Sequence, residues 1–462
     1  MNEKLYAAVE KGKELVSSGI FEFAEIRLSS GSGTSISLSG ENTDAVTSAD
    51  SVAGSVRVLK NGSWGFATFN DLSSVEKFFR SAVNSATIVA PGIKSGIAAG
   101  KALTAKFTTK MSRDFNSVSI DEKFELLNGY NKILRNAEHI QTTRAVYRDG
   151  HSDYVYLNSE GSHLEYDRSY CGISLASVAK KGAIVQPYSE SVSGYGGFEI
   201  TENRDVLAEK VVKTACDMLD AETVEGGRYR VILDPKLSGV FIHEAFGHLS
   251  EADFVCENPS MREVMVLGRQ FGPPELNVID DGSIEHIAGY IPFDDEGILP
   301  SKTSLIRDGM LSGRLHSRET ADKMNEETTG NGRAIGVMKQ PIVRMTNTYI
   351  ENGPHSRDEI FAAMDDGLYA ASYIGGQTNL EMFTFTAAYG YRVKNGKPGK
   401  MFRDIILSGN VFTTLKNISM IGNDREMFGG LGGCGKGGQG PLPVTLGGPH
   451  IMVNDVLIGG EK

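Results

Sequence analysis

The sequence is short of the residues that cross-link or anchor a chain. Four cysteines in 462 residues cannot staple a protein of this length, so reduced thiols in the cytoplasm are expected. No apolar run reaches the ~18–20 residues of a membrane-spanning helix. The opening Met1-Asn2-Glu3-Lys4 leads into an amphipathic stretch without the apolar centre of a signal peptide, so no membrane association is expected. Basic residues are outnumbered too: 47 Lys and Arg against 58 Asp and Glu give a net charge of −11. Without a basic stripe or a recognition helix, a nucleic-acid partner is excluded. What the chain does have is ordinary globular material, 40% hydrophobic and 23% charged, in a length that exceeds a single core.

Glycine is the compositional exception. There are 54, about 12% of the chain where ~7% is usual, against only 14 prolines. They crowd between Gly422 and Gly448, which predicts a loop that needs unusual dihedrals or close backbone approach. The rest of the chain shows periodicity. Leu5, Ala8, Val9, Leu15 and Val16 mark an amphipathic helix over Glu3–Ser17. Further helices are expected near Ser74–Thr87, Asp121–Glu138 and Arg204–Leu219. Asn61-Gly62 between alternating apolar runs predicts a hairpin. A strand meander is expected from Thr142 to about Val192, with turns at Asp149-Gly150 and Asn158–Gly161.

The texture changes near Thr223–Gly227. Beyond it Arg228–Leu233 reads as a strand, Leu237–Leu249 as a short helix, and Asp308-Gly309 and Asn395-Gly396 as hairpin turns. Ser356 with Glu359 forms a capping box for a helix to Asp366. The expected fold class is therefore α+β. A helix-and-meander α/β domain over 1–221 precedes a mostly β domain over 222–462 that buries one metal-binding helix.

That helix carries the chemistry. Val240-Phe241-Ile242-His243-Glu244-Ala245-Phe246-Gly247-His248 places two histidines and a glutamate among apolar neighbours, where polar groups are costly unless satisfied. In an H-E-x-x-H zinc helix the histidines are four apart and face one ion. Here they are five apart, about 140° around a regular helix, unless Gly247 ends or widens the helix and brings His248 back. The bland alternative is a pair of satisfied core histidines; the adjacent Glu244 argues against it, as a base for an activated water. A zinc-like site needs a third protein ligand. Cys171 in the meander and Cys216 on an apolar stripe suit buried packing. Cys256 lies eight residues past His248, and Cys434 sits among glycines where a thiolate could be delivered, with Lys436 favouring ionisation. The same segment mimics G-x-x-x-x-G-K and G-x-G-x-x-G, but Gly437-Gly438-Gln439-Gly440-Pro441 allows no helix to hold phosphate.

His243 to His248 followed by Glu251-Ala252-Asp253-Phe254 resembles the H-E-x-x-x-H signature of the TldD/PmbA family, in its TldD-type members. Thr329-Gly330-Asn331-Gly332-Arg333, Arg344 to Tyr349, Ser419 to Asp424 and Cys434-Gly435-Lys436-Gly437-Gly438-Gln439 match in the family's order. Phe246 occupies a motif position often smaller in the family, which touches packing more than chemistry. The resemblance implies a zinc metallopeptidase with His243, His248 and Cys434 on one zinc ion per subunit and Glu244 as catalytic base. It also implies unfolded or short peptides as substrates, cleaved inside the cavity of a dimer formed with itself or with a PmbA-type paralogue. The family also carries the label modulator of DNA gyrase, which gives a second expectation: a non-catalytic regulator with a structural metal. Arg333 is a candidate for stabilising the oxyanion, beside the alternative of a structural arginine.

Overall fold

The computed structural model describes residues 3–19, 21–87, 95–379 and 381–459; Met1 and Asn2 of the N-terminal reading lie outside these. Helix α1 (Glu3–Val16) buries Leu5, Ala8, Val9 and Val16 on one stripe, as its periodicity requires. It packs on strand β1 (Phe23–Ser39), while α2 (Val75–Ala86) packs on β2 (Asn42–Lys60) and β3 (Ser63–Phe69), and all of them share one core. The β2–β3 hairpin turns at Asn61 and Gly62, both with positive φ, as its sequence demands. After β4 (Thr104–Thr108), α3 (Ile120–Arg135) starts at Ser119, whose side chain accepts from Glu122 N. Strands β5 (Ile140–Asn158), β6 (His163–Lys181) and β7 (Ile184–Tyr195) form the meander, and α4 (Asp205–Asp217) closes this half. Together the strands make one seven-stranded sheet in the order β3-β2-β1-β5-β6-β4, with β7 on β6.

One expected turn is absent. Asp149-Gly150 lies in the middle of β5, which stays paired with β1 on one side and β6 on the other. The Asp149 carboxylate is engaged elsewhere: it accepts from Thr34 N at 3.0 Å and Tyr147 Oη at 2.7 Å, and pairs with buried Lys123 at 2.6 Å. A side chain that anchors three elements does not cap its own turn.

The second half holds two large sheets and two two-stranded ones among the described residues. β8 (Glu222–Thr223) and β9 (Gly227–Leu233) belong to a ten-stranded sheet that has β8 at one end and the strand Gly375–Asn379 at the other. A six-stranded sheet contains Val278–Asp281, Asn347–Ile350 and Thr445–Gly448. Between them lies α5 (Pro235–Ile242), apolar but for Lys236 and Ser238 and, Lys236 apart, buried, with Leu237, Val240, Phe241 and Ile242 in the largest core cluster. Asp234 caps it by accepting from Leu237 N at 2.7 Å, with Pro235 in the first turn. The expected helix at Ser356 forms over Arg357–Ala362 with its capping box in place.

The glycine-rich segment is not a loop throughout. It contains the strands Glu426–Phe428, Cys434–Lys436, Gln439–Leu442 and Thr445–Gly448. Its glycines serve close approach as much as dihedral freedom. A Cβ on Gly239 of α5 would stand 2.7 Å from the Gly447 nitrogen, so this helix rests backbone on backbone against the strand Thr445–Gly448. Gly239→Val should therefore destabilise the protein by about 1–3 kcal/mol in denaturant unfolding, because neither backbone can yield. Gly129 of α3 has open space around its Cβ direction, so Gly129→Ala should stabilise by about 0.5–1 kcal/mol. Equal shifts in both variants would refute the close-packing account.

Candidate metal centre

His243 is the residue next after α5, and there the helix changes. Over His243–Gly247 it widens into a π turn, in which His248 N–H donates to the His243 carbonyl. An i→i+5 closure stacks residues five apart, so the two imidazoles come together, with ring centroids 5.3 Å apart and planes at 82°. Gly247 does not achieve this by unusual dihedrals, since its φ of −57° is ordinary helix. It supplies room: a Cβ there would stand 2.1 Å from the Met345 sulfur.

Cys434 arrives from the opposite direction. Its strand pairs with Gln439–Leu442, joined by a turn at Gly437 and Gly438, both with positive φ. Arg344, fully buried, fixes the hairpin by donating to the carbonyls of Cys434 at 2.5 Å and Gln439 at 3.0 Å. The thiol is 6% exposed, so it has a packed position after all. One ligand atom each from His243, His248 and Cys434 all lie within 4.8 Å of one another, and no other group of His, Cys, Asp and Glu converges in this way among the described residues. Cys256, half-buried on Ala252–Glu257, takes no part.

The electrostatics suit a thiolate. Burial alone would push the Cys434 thiol up, but hydrogen bonds from His243 and His248, with their charges, bring it down to about 5. His248 Nε2 stands 3.2 Å from Sγ, and its Nδ1 is 3.0 Å from Glu251 Oε2. Glu251 is buried and in turn held by Lys436 at 3.0 Å, which also binds Asp253 at 2.7 Å. Lys436 thus orients His248 through Glu251, and it is the imidazoles that favour the thiolate. Carboxylate–histidine pairing of this kind fixes ring orientation at metal sites. His243 Nδ1 is buried without a hydrogen-bond partner among the described residues. Two imidazoles and a soft thiolate, converging with one nitrogen unsatisfied, form a donor set that fits zinc.

Beside the cluster opens a cleft of about 400 Å³, lined by His243, Glu244, Cys434, Lys236, Glu190 and Tyr373 among others. Glu244 is half-buried, its carboxylate 3.9 Å from His248 Nε2 with 31% of the side chain accessible. Lys236 is neutralised by Glu190 of β7 at 2.6 Å, an ion pair that ties α5 to the N-terminal sheet. Tyr373 immediately precedes the free-edge region, and its hydroxyl has no hydrogen-bond partner among the described residues; burial, then the charge of Glu244, raises its pKa. No periodicity or spacing marks Tyr373 in the sequence; only its place on the cleft does. Arg333 falls elsewhere: it donates to the carbonyls of Met345 and Pro443 and is buried away from this cleft, so it serves the structure here and not the oxyanion.

Comparison with known proteins places this arrangement. Three models described as PmbA/TldA metallopeptidase match: domain 1 over residues 24–86, the central domain over 113–219 and the C-terminal domain over 226–460. A metalloprotease of Synechocystis is 39% identical over 442 residues, covering 95% of each chain. A zinc metalloprotease TldD homolog of Saccharolobus solfataricus is 30% identical over 465 residues, covering 99% of this chain and 100% of its own. Among solved structures, a Thermotoga maritima protein described as a modulator of DNA gyrase superposes with a TM-score of 0.78 at 20% identity, over 98% of this chain and 100% of that one. TldE from Thermococcus kodakarensis gives 0.77 at 17% identity, over 99% and 100%. These two likenesses concern the fold.

Removing the thiolate tests the donor set. Cys434→Ser should lose most bound metal in elemental analysis of the purified protein, whereas Cys256→Ser should keep it. Equal retention in the two variants would remove Cys434 from the centre.

Proposed function

This chain belongs to the PmbA/TldD metallopeptidase family, and from that premise we propose that it is a zinc peptidase acting on unfolded or short peptides. The observation that carries the reading is the convergence of two imidazoles and a thiolate beside an accessible carboxylate, on a cleft bordered by a free strand end. His243, His248 and Cys434 would hold the metal, one ion per subunit. When bound, zinc supplies Lewis-acid polarisation and lowers the pKa of water toward ~7. Three protein donors and no fourth among the described residues support a catalytic over a structural, regulatory metal.

The chain's own groups then divide the work. Glu244 takes a proton from the attacking water on its carboxylate and returns it to the leaving amine. Tyr373, facing the same cleft, donates its hydroxyl hydrogen to the oxygen on which negative charge develops. Among the described residues the strand Gly375–Asn379 pairs on one side only, with Met382–Ala387, so an extended peptide can add to its other edge. Backbone pairing gives affinity with loose side-chain preference.

We place the reaction in the cytoplasm, within a dimer cavity formed with a second copy or a PmbA-type paralogue. The outer edge of β2 supports assembly: among the described residues, 42–53 pair with β1 alone, and Val46 and Val52 are exposed. A division of the chain between residues 221 and 222 is supported by its cores, since Leu219 packs in an N-terminal cluster and Val224 in the C-terminal one.

Two variants separate binding from chemistry. Glu244→Gln should keep about one metal per subunit yet lose several orders of magnitude in rate. Tyr373→Phe should lower kcat about 10²–10³-fold with KM little changed, as loss of an oxyanion donor does. Full activity in Glu244→Gln would end the proposed mechanism. Substrate state is checked separately, by digesting one unstructured peptide and the same sequence embedded in a stably folded domain. The free peptide should be cut and the embedded one spared, because a folded segment must first open at a cost approaching the domain's stability. Comparable cleavage of both, followed by mass spectrometry, would show an open site.

A further inference from the structure

A second cavity of about 350 Å³ lies on the same face of β6 and β7 as the metal cleft, farther along the strands. The paired residues Ser174 and Ser191 line the metal cleft; Tyr170 and Tyr195, also paired, line the second cavity. Between them the glycine segment closes the surface. Leu431 N–H donates to Ser191 Oγ at 2.8 Å, and Leu431 Cδ2 lies 2.9 Å from where a Cβ on Gly172 would stand. The two cavities are separate sites.

The walls of the second are aromatic. Tyr154, Tyr166 and Tyr195 gather with Phe293, with centroid separations of 5.9 Å for Tyr154–Phe293, 6.2 Å for Tyr166–Tyr195 and 6.5 Å for Tyr166–Phe293. Its charge is unbalanced. Arg168 has no hydrogen bond and no carboxylate within 4.0 Å among the described residues. Arg333, 3% exposed, donates only to the carbonyls of Met345 and Pro443, and burial pushes its pKa down. By contrast the buried Arg27, Arg57 and Arg318 each have a carboxylate partner.

The acids at this cavity are already committed. Asp295 accepts from Arg27 at 3.3 Å, Tyr154 Oη at 2.8 Å and Ala334 N at 2.7 Å. Asp294 accepts backbone N–H groups from Glu296, Ile298 and Gly332, and burial, with Glu296 close by, raises its pKa. Two guanidinium groups, Arg168 half-buried and Arg333 buried, therefore face this cleft with no carboxylate within 4.0 Å of either among the described residues, in a protein whose net charge is −11. A buried cation without a partner is costly, and a bound anion relieves it.

We propose that this cavity binds a carboxylate attached to a flat aromatic group, with Arg168 and Arg333 on the carboxylate and the tyrosine wall on the ring. The guanidinium fork matches a planar carboxylate, and ring-on-ring contact suits an aromatic body. The ligand is either the aromatic C-terminal residue of a peptide or a free aromatic acid. The first source rests on the peptidase reading; binding itself does not.

Calorimetry on the full chain carrying Glu244→Gln, which removes turnover, tests this without reading activity. The probes are N-acetylphenylalanine, its amide, inorganic phosphate, and a short peptide ending in phenylalanine with its terminus free or amidated. The free acids should bind at least about tenfold more tightly than the amides. Arg168→Gln should abolish that difference, Arg168→Lys should restore part of it, and metal content should stay constant in both variants. Tighter binding of the free peptide than of N-acetylphenylalanine assigns the site to a chain end, and the reverse to a small acid. Equal binding of acid and amide, no binding of either, an unchanged preference in Arg168→Gln, or phosphate binding as tightly as the acids would each overturn the proposal. If no peptide is ever cleaved while the acid preference holds, the peptidase reading fails and this one stands.

Discussion

The contact on which the site depends is the one between two backbones, at Gly239 of α5 and Gly447 of the strand beneath it. With no side chain on either residue, the helix sinks onto the six-stranded sheet, and Ser238 Oγ donates to the Pro449 carbonyl at 2.8 Å. That depth sets where His243 emerges. It also explains why the same glycine-rich segment both supports the helix and delivers Cys434. The two ends of one chain segment, the hairpin at Cys434 and the strand at Gly447, fix opposite sides of the donor set.

Burial then turns geometry into chemistry. In water a thiol at neutral pH is mostly protonated, and desolvation alone would make it more so. Two imidazoles at hydrogen-bonding range reverse this, and a chain of charge from Lys436 through Glu251 holds His248 in the required orientation. The arrangement is costly to bury unless a cation completes it, which is the physical sense in which the residues fit a metal. The same logic, with signs exchanged, describes Arg168 and Arg333 on the far side of the glycine segment.

Much of this was legible in the sequence, and the failures are instructive. His243, Glu244 and His248 stand out because polar residues interrupt an apolar helix, and Cys434 because glycines surround it. The five-residue spacing required the helix to end or widen at Gly247 if both histidines were to share one ion, and the structure widens it. What could not be read was why Gly247 is needed, since Met345 is nearly a hundred residues distant in sequence. Asp149-Gly150 has turn composition, yet flanking strands on both sides and the ion pair with Lys123 hold it extended. Composition reports local preference, and two neighbouring strands outweigh it. Tyr373 and Arg168 carry no local signal at all, because their meaning comes only from the cavities they face.

The metal cleft is shared between the two halves of the chain, and this constrains how it works. The π turn after α5 brings the two imidazoles, the glycine segment brings the thiol, and β7 brings Glu190 and serines of the opposite wall. Glu190 accepts from Tyr188 and pairs with both Lys210 and Lys236, so its charge is more than balanced and its pKa stays low despite burial. A carboxylate so held is a poor proton shuttle. Its work is mechanical: Lys236 belongs to the first turn of α5, so the ion pair locks the metal helix to the N-terminal sheet. Glu244, by contrast, is left accessible, and among the described residues its one charge partner within 4.0 Å is the imidazole of His248. Two carboxylates thus line one cleft in different states, one immobilised by lysines that tie its walls together, the other left accessible as the proposed base requires.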